Sequence, residues 1–281
     1  MKHHQAIRPE LRQWILDTTR AGHGVPEVLA LMKQHGYDAA SSRRMVAEVL
    51  KLPLLGLTST PAAGSRRPRH PQGPRVDAAG HPVTVSLSVE SPALRLLHGI
   101  LSADECSELI ELARPRLKRA LTVSTDGGAE QHEARTGQGM FFALGENPLI
   151  ERIEQRIAAL LDMPVIHGEG LQVLHYLPGQ EYQPHVDWFD PGQPGHARVT
   201  AQGGQRVASV VMYLNTPEAG GGTGFPSLGL GVTAVQGSAV YFAYEEGDQT
   251  SLHAGLPVLR GEKWIATKWL RERPYRLPQP R

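Results

Sequence analysis

The strongest constraint on the fold is a series of short, strand-like runs in the second half of the chain. The runs LQVLHYL, RVASVVMYLN, GVTAVQ, SAVYFAY and KWIATKWL are rich in β-branched and aromatic residues, and glycine-rich turns separate them. Two segments with helical periodicity, SADECSELIELARPRL and NPLIERIEQRIAALL, precede them. Helices followed by many strands, without alternation of strand and helix, indicate an α+β fold or a β-barrel-like core with flanking helices.

A different pattern occupies the beginning of the chain. The segments ELRQWILDTTR, PEVLALMKQHG and SSRRMVAEVLK each have the spacing of a short helix, the last with Ser41 or Ser42 as its N-cap. The stretch TSTPAAGSRRPRHPQGPRVDAAGHP that follows is dense in proline, glycine and arginine, which is typical of a flexible linker. We therefore predict a small helical module at residues 1–52, a linker at 53–82 and a larger domain at 83–281.

Composition and charge limit the cellular location of the protein and the partners that it can bind. The chain carries 29 Lys and Arg against 28 Asp and Glu, so no global charge directs it to nucleic acid or to an anionic membrane. Its single cysteine, Cys106, excludes an intramolecular disulfide, and the start MKHHQAIRPELRQW lacks the apolar core of a signal peptide. No run approaches the roughly 18 apolar residues of a spanning helix. These features predict a cytoplasmic protein without a membrane partner.

The segment YQPHVDWFD contains a histidine and an aspartate two positions apart. In a strand, residues i and i+2 point to the same side, so His185 and Asp187 can offer two ligands to one metal ion. The pair alone is a weak signal, because a chain with 13 histidines forms such pairs by chance and His167-x-Glu169 is a second one. A non-haem Fe(II) site also needs a second imidazole from elsewhere in the chain.

A candidate for the third ligand lies far downstream, in SLHAGLPVLRGEKWIATKW. His253 lies there in a turn before a predicted strand, and Lys263 follows ten positions later. An ammonium group at that separation can bind the far carboxylate of a dicarboxylate that is chelated to the iron. The sequence thus supplies both a possible ligand set and an anchor for an anionic cosubstrate.

These motifs together resemble the catalytic domain of the prolyl 4-hydroxylases, a family of Fe(II)/2-oxoglutarate dioxygenases. The resemblance covers about residues 95 to 275 and rests on LQVLHYLPGQEYQPHVDWF, GGQRVASVVMYLN, GGGTGFP and SLHAGLPVLRGEKWIATKW, which occur in the family's order. It implies a double-stranded β-helix, or jelly roll, as the catalytic core. It also implies that His185, Asp187 and His253 bind the iron.

The same resemblance implies roles for residues around the iron. Lys263 is expected to pair with the C5 carboxylate of 2-oxoglutarate, helped by the hydroxyl groups of Tyr176 and Thr223. Arg206 and Trp269 fall on positions that the family associates with the active site and the substrate. Arg135 lies in ARTGQG, which resembles a substrate-covering loop.

The expected reaction is hydroxylation of an unactivated C–H bond, with O₂ consumed and succinate and CO₂ as coproducts. The resemblance suggests peptidyl proline as the substrate and ascorbate as the reductant. Aromatic side chains can form a groove for an extended proline-rich peptide, and we expect this groove from Trp188, Phe189, Tyr213 and Trp269. Another amino-acid side chain or a small molecule stays open as the substrate.

A second hypothesis gives the N-terminal module a binding role. Three predicted helices near SRRM, followed by a linker that carries Arg66, Arg67, Arg69 and Arg75, suit a nucleic acid or a regulatory partner. The oxygenase domain would then act on that partner or serve as a sensor. The simpler interpretation is a small packing domain followed by a solvated basic linker, because charge runs usually interact with water.

Overall fold

In the computed structural model of the protein, the described residues are 7–20, 25–50, 65–120, 122–124, 126–130 and 135–275. The chain divides into two compact units, one within residues 1–65 and one comprising residues 66–281. Among the described residues, no helix has both the length and the apolar character needed to cross a bilayer. The helices are α1 (Pro9–Arg20), α2 (Val25–Gln34), α3 (Ala39–Leu50), α4 (Ala103–Ala113), α5 (Pro148–Leu161) and α6 (His196–Thr200).

Within the described residues, the strands all belong to the second unit. They are β1 (Arg75–Asp77), β2 (Pro82–Glu90), β3 (Ala93–His98), β4 (Lys118–Arg119), β5 (Thr122–Val123), β6 (Ala129–Glu130), β7 (Gln138–Phe142), β8 (Leu171–Tyr176), β9 (Tyr182–His185), β10 (Arg206–Tyr213), β11 (Ala219–Gly220), β12 (Thr223–Phe225), β13 (Leu230–Val232), β14 (Ala239–Ala243), β15 (His253–Gly255), β16 (Val258–Arg260) and β17 (Lys263–Arg271).

The first unit is built from the three short helices. Their apolar faces meet around Ile15, Val28, Met32 and Val46, all of which are buried. Helix α3 starts earlier than the predicted cap at Ser41 or Ser42. The Asp38 carboxylate accepts a hydrogen bond from the backbone N–H of Ser41 at 2.9 Å. Asp38 therefore acts as the N-cap, because its oxygen satisfies a donor that the first helical turn leaves unpaired.

Two antiparallel sheets form the jelly-roll core of the second unit. Within the described residues, the large sheet has nine strands in the order β1-β2-β3-β14-β10-β17-β8-β7-β4. The small sheet has the order β13-β12-β15-β9, and β11-β16 and β5-β6 form two further pairs. The nonconsecutive neighbours β14, β10, β17 and β8 show that distant segments of the chain meet at the centre of the large sheet. The jelly roll implied by the resemblance is confirmed.

The central strands of the large sheet are buried on both faces, which explains their nearly continuous apolar sequence. Val210 and Met212 of β10 pack in the cluster that also contains residues of helices α4 and α5. Val211 and Tyr213 of the same strand pack on the opposite side, with Phe225 of the small sheet. The unit therefore has a layer of helices, the large sheet, and then the small sheet.

Both helices of this layer have the caps that their sequences specify. Ser102 accepts from Glu105 N while the Glu105 side chain accepts from Ser102 N, so Ser102 is the N-cap of α4 and forms a capping box. Asn147 caps α5, with Pro148 in the first turn. These caps determine where α4 and α5 begin. The buried faces of the two helices cover the large sheet.

The predicted linker at 53–82 differs from the structure in its second half. Strand β1 pairs with β2, Arg69 N donates to Leu161 O at 2.8 Å, and Arg95 Nε donates to Pro71 O at 3.0 Å. Residues 51–64 lie outside the described residues. The prediction of a flexible linker was wrong for this half because backbone groups of the segment form its hydrogen bonds, and a proline- and arginine-rich composition does not indicate such bonds.

Candidate active site

The three predicted iron ligands meet where strands β9 and β15 pair. The register of these strands places His185 opposite His253, and Asp187 follows two residues after the end of β9. The Nε2 atoms of His185 and His253 lie 3.7 and 3.6 Å from the carboxylate oxygens of Asp187. One ligand atom of each residue lies within 4.8 Å of the others. Three groups at these separations can hold one metal ion.

The hydrogen bonds of both imidazoles leave the same nitrogen for a metal. Nδ1 of His185 lies 2.8 Å from the carbonyl oxygen of Gln183, and Nδ1 of His253 lies 3.0 Å from that of Ser251. A carbonyl oxygen only accepts, so each Nδ1 carries the proton and donates it. The lone pair is then on Nε2, the atom nearer Asp187. Outer hydrogen bonds of this kind orient histidine ligands in metal sites.

The environment keeps His185 and Asp187 in the protonation states that metal binding requires. Burial lowers the pKa of His185, and the neighbouring His253 lowers it further, so the His185 ring is neutral at physiological pH. Burial opposes ionisation of Asp187, but His253, His185 and Arg206 outweigh it and hold the pKa of this carboxyl below its usual range. A neutral imidazole and an ionised carboxylate are the forms that bind a divalent cation.

The donor set fits Fe(II). Two imidazoles and one carboxylate are the ligands of non-haem Fe(II) oxygenases, which leave further coordination positions for a cosubstrate and O₂. Asp187 is 7% exposed and His253 is 5% exposed, so the ligands are largely withdrawn from bulk water. The residues present are therefore suited to an iron ion by type, spacing and burial.

A buried cation lies in the pocket that contains the triad. Lys263 is 2% exposed, and its Nζ donates to the carbonyl oxygen of Gly222 at 3.1 Å. Burial lowers its pKa to about 8, which leaves the ammonium charged at neutral pH. Tyr176 and Thr223 line the same pocket, and Thr223 Oγ1 accepts from Tyr213 OH at 2.7 Å, so its own proton is available. These groups can bind an anionic ligand such as a carboxylate.

Two of the residues expected on the substrate side line the pocket, and a third, Arg206, contacts one of them. Trp269 and Arg135 contribute to the pocket wall. The guanidinium of Arg206 lies over the Trp269 ring, 4.1 Å from the ring centre. It also forms an ion pair with Glu169 at 2.6 Å. Arg206 therefore supports the pocket through Trp269.

The structure does not bring Trp188 to the pocket. This side chain packs in the core between the two sheets, and its indole N–H donates to Asp248 O at 3.0 Å. Tyr213, also expected in an aromatic groove, is fully buried. The chain bends at residues 187–188, so Trp188 enters the core while its neighbour Asp187 lies beside His185 and His253.

Several pocket residues were not predicted from the sequence. The ring of Tyr182 stacks on His185 with 3.6 Å between the ring centres, and Tyr182 and Thr267 both line the pocket. Glu169, the acidic residue of the second His-x-acid pair in the sequence, is buried and pairs with Arg271 at 2.8 Å as well as with Arg206. Strand periodicity is the signal that identifies Thr267, because it lies four positions after Lys263 on one strand.

Strand β17 divides its side chains between the pocket and the core. The pocket receives alternate residues of the strand: Lys263, Ile265, Thr267 and Trp269. The residues between them face the helices: Trp264, Ala266 and Leu270 lie in the core cluster with α4 and α5, and Lys268 pairs with Glu154 of α5 at 2.5 Å. One strand thus supplies the buried lysine of the pocket, part of the pocket wall and part of the core.

Comparisons with known proteins agree with this geometry. The sequence model of the 2OG-Fe(II) oxygenase superfamily matches residues 171–271. The chain is 39% identical over 210 residues to probable prolyl 4-hydroxylase 10 of Arabidopsis thaliana, covering 66% of this chain and 71% of the relative. It is 39% identical over 203 residues to prolyl 4-hydroxylase 1 of the same plant, covering 65% and 70%.

A solved structure of a prolyl hydroxylase has a fold similar to that of this chain. The viral collagen prolyl hydroxylase from Paramecium Bursaria Chlorella virus-1, in its complex with 2-oxoglutarate, superposes with a TM-score of 0.50 at 29% identity. The match covers 63% of this chain and 95% of the viral chain. The viral enzyme therefore matches over nearly its whole length.

The jelly-roll core with a His-Asp-His triad defines a class, the Fe(II)/2-oxoglutarate oxygenases. Within this class the chain belongs to the prolyl 4-hydroxylase family. It is a 2-oxoglutarate-dependent dioxygenase that uses Fe(II), 2-oxoglutarate and O₂. The family, the dioxygenase activity and the use of Fe(II), 2-oxoglutarate and O₂ that the resemblance implied are confirmed.

Proposed function

We propose that the protein hydroxylates proline residues of a peptide or protein and holds its iron with His185, Asp187 and His253. The observation that carries the proposal is the presence of this triad and a buried lysine in one pocket of a prolyl 4-hydroxylase family member. Bound iron, with 2-oxoglutarate and O₂, supplies the oxidation of an unactivated C–H bond, and succinate and CO₂ are released.

The other residues bind and orient the reactants in this proposal. Lys263 pairs with the distal carboxylate of 2-oxoglutarate, and the hydroxyls of Tyr176 and Thr223 donate to it. All three residues line the pocket, and burial strengthens such charge-assisted hydrogen bonds. Their common role is to hold the cosubstrate in one orientation and to exclude water.

Arg135 and Trp269 are the residues that we assign to the peptide. Arg135 joins a β-bridge to Tyr182, whose ring stacks on His185, so it lies close to the metal ligands. Trp269 presents a flat apolar surface, and such surfaces bind the preformed, extended conformation of proline-rich segments. Arg206 supports the Trp269 ring through its guanidinium, which lies over the ring.

The substrate is tested with a pair of peptides. We expect Fe(II)-loaded protein to convert 2-oxoglutarate to succinate faster with a proline-rich peptide than with the same peptide carrying alanine for proline. Mass spectrometry should find one added oxygen on proline of the first peptide. Equal turnover with both peptides and no oxidised proline would contradict the proposal and direct the search to other side chains or small molecules.

The metal assignment is tested separately. Asp187→Ala removes the carboxylate between the two imidazoles, so we expect loss of Fe(II) binding and of 2-oxoglutarate turnover. Asp190→Ala is the matched control, because this aspartate lies three positions further along and is exposed. Normal iron binding by the Asp187 variant would refute the ligand set.

Three further expectations concern the reductant, the cellular location and a regulatory role. Ascorbate as reductant rests on family membership, and its addition should prolong turnover in repeated-cycle assays. A cytoplasmic location rests on the single cysteine of the chain. The alternative of a partner- or nucleic-acid-binding regulatory role gains no support from the comparisons.

A further inference from the structure

Asp187 is linked to two buried hydroxyl groups that the function proposed above does not use. Ser209 Oγ donates to Asp187 Oδ2 at 2.5 Å, and Tyr244 OH lies 2.9 Å from Ser209 Oγ. Ser209 is 0% exposed and Tyr244 is 4% exposed. Two hydroxyl groups that are shielded from water therefore form a hydrogen-bonded chain from the Asp187 carboxylate into the protein interior.

The direction of these hydrogen bonds follows from the chemistry of the groups. An ionised carboxylate only accepts, so the single proton of Ser209 points to Asp187. The Ser209 oxygen is then an acceptor for the proton of Tyr244. Burial raises the pKa of Tyr244 well above its usual value, so the phenol stays protonated and can donate. The order of donation is Tyr244 to Ser209 to Asp187.

The two hydroxyls are supported by rigid parts of the fold. Ser209 lies within β10, where it is opposite Phe242 of β14 and Trp269 of β17. Tyr244 directly follows the last residue of β14. Asp187, by contrast, lies beyond the end of β9. The hydrogen bond from Ser209 thus ties an irregular segment to the centre of the large sheet.

We infer that Ser209 and Tyr244 are positioning residues that fix the Asp187 carboxylate in the orientation that binds iron. Ser209 holds Oδ2, and Oδ1 is left facing His185, 3.7 Å from its Nε2. Without the serine hydroxyl, the carboxylate rotates more freely and loses part of its preorganisation for the metal. The inference depends on the metal ligands proposed above.

Iron affinity in the absence of 2-oxoglutarate tests the inference. Anaerobic titration calorimetry with Fe(II) should show that Ser209→Ala raises the dissociation constant about 10- to 100-fold, the usual effect of losing a hydrogen bond to a metal ligand. Ser209→Thr keeps a hydroxyl and should bind nearly as tightly as the unaltered protein. Tyr244→Phe should have a smaller effect than Ser209→Ala, because Ser209 still donates to Asp187.

Two buried hydroxyls elsewhere provide matched controls. Ser238 Oγ donates to Val235 O at 2.6 Å, and Tyr241 OH lies 2.8 Å from His70 Nδ1. Ser238→Ala and Tyr241→Phe should lower the stability of the fold without changing iron affinity. Circular dichroism and thermal unfolding then separate a positioning effect from a general loss of structure.

The outcomes distinguish this inference from the proposed function. Folded Ser209→Ala that binds Fe(II) as tightly as the unaltered protein overturns the positioning role. If Ser209→Ala fails to fold, unchanged iron affinity of Tyr244→Phe overturns the role of Tyr244. If the unaltered protein binds no Fe(II), the proposed ligands fail and the inference with them. Iron binding without proline hydroxylation would refute only the proposed substrate.

Discussion

Lys263 connects the structure of the pocket to the pH dependence of cosubstrate binding. Burial lowers the pKa of this lysine to about 8, and only its charged form pairs with a carboxylate. Below this pH the free protein already carries the charge, so the dissociation constant of 2-oxoglutarate should be nearly constant. Above it, binding must take up a proton, and the dissociation constant should rise by up to about tenfold per pH unit.

Calorimetry with 2-oxoglutarate and a redox-inert metal such as Mn(II) measures this dependence. The Lys263→Met variant serves as the control, since it should bind weakly at every pH and should lack the step near the lysine pKa. A dissociation constant that stays constant well above that pKa in the unaltered protein would contradict the lowered pKa, and unchanged binding by Lys263→Met would show that Lys263 does not bind the carboxylate.

Glu169 gives a prediction about stability at the same scale. This buried carboxylate pairs with both Arg206 and Arg271, at 2.6 and 2.8 Å. The Glu169→Gln change removes the carboxylate that pairs with both guanidinium groups, so the free energy of unfolding should fall by about 3–5 kcal/mol. Urea unfolding followed by tryptophan fluorescence measures the change.

An exposed ion pair provides the comparison. Glu218 lies 2.7 Å from Arg260, and their side chains are 63% and 72% exposed. Because water screens such a pair, Glu218→Gln should change the free energy of unfolding by less than about 1 kcal/mol. Similar losses from the two variants would mean that the Glu169 network is not a special source of stability.

At the scale of elements, the β5–β6 hairpin contacts the segment before α6. A β-carbon added at Gly195 would overlap the backbone nitrogen of Gly127 and the carbonyl carbon of Asp126. Gly195 has an ordinary φ of −79°, so alanine there causes steric overlap without backbone strain. The hairpin leads into the ARTGQG stretch that carries Arg135, and the Gly195 segment follows Asp187 along the chain.

We therefore expect Gly195→Ala to push the hairpin away and to raise the KM for a peptide several-fold, while the affinity for 2-oxoglutarate stays the same. Hydrogen exchange at the amides of Gly127 and Ser124 should become faster. Gly192→Ala is the control in the same segment, because its added carbon meets only the exposed side chain of Asp190, at 3.2 Å from Oδ1. Unchanged exchange in the Gly195 variant would contradict the predicted displacement.

The sequence predicts elements well where one physical cause dominates. The central strands β10 and β17 are apolar on both faces, and the capping box at Ser102 marks the start of α4, so both signals are local. Strand β2 was missed, although VTVSLSVE alternates, because its outward positions are exposed and it adjoins proline-rich sequence. A segment with such a weak local signal becomes a strand because it pairs with a neighbouring strand.

The site was predicted through motif order, and its supporting residues were not. The spacing of His185 and Asp187 is too common to identify a metal site, and His253 joins them only through the pairing of β9 with β15. Ser209 is 22 positions from Asp187, and Tyr244 is a further 35 positions away. No local pattern links residues so far apart, because the order of strands in the large sheet brings them together.

At the scale of the whole molecule, the position of the domain boundary can be tested by truncation. All residues that line the active-site pocket belong to the unit that comprises residues 66–281. A chain of residues 66–281 should therefore fold and bind Fe(II) and 2-oxoglutarate as the full chain does. This outcome would also show that the three-helix unit is not required for binding of the cosubstrate.

A shorter chain is the control for this boundary. Residues 83–281 lack β1 and the contacts of His70 and Pro71 with Tyr241 and Arg95. Loss of the Pro71 acceptor leaves a buried arginine donor unpaired, so this chain should unfold at a lower temperature than residues 66–281. Equal melting temperatures would favour the later boundary that the sequence predicts.

The alternation of side chains along β17 limits how enzymes with this fold can diverge. Adding or deleting a single residue within the strand would exchange its two faces, placing tryptophan and lysine side chains from the helix side into the pocket and removing Lys263 from it. Evolution can therefore adjust the pocket at Ile265 or Thr267 by substitution. Changes in chain length have to be accommodated in the segments that connect the strands.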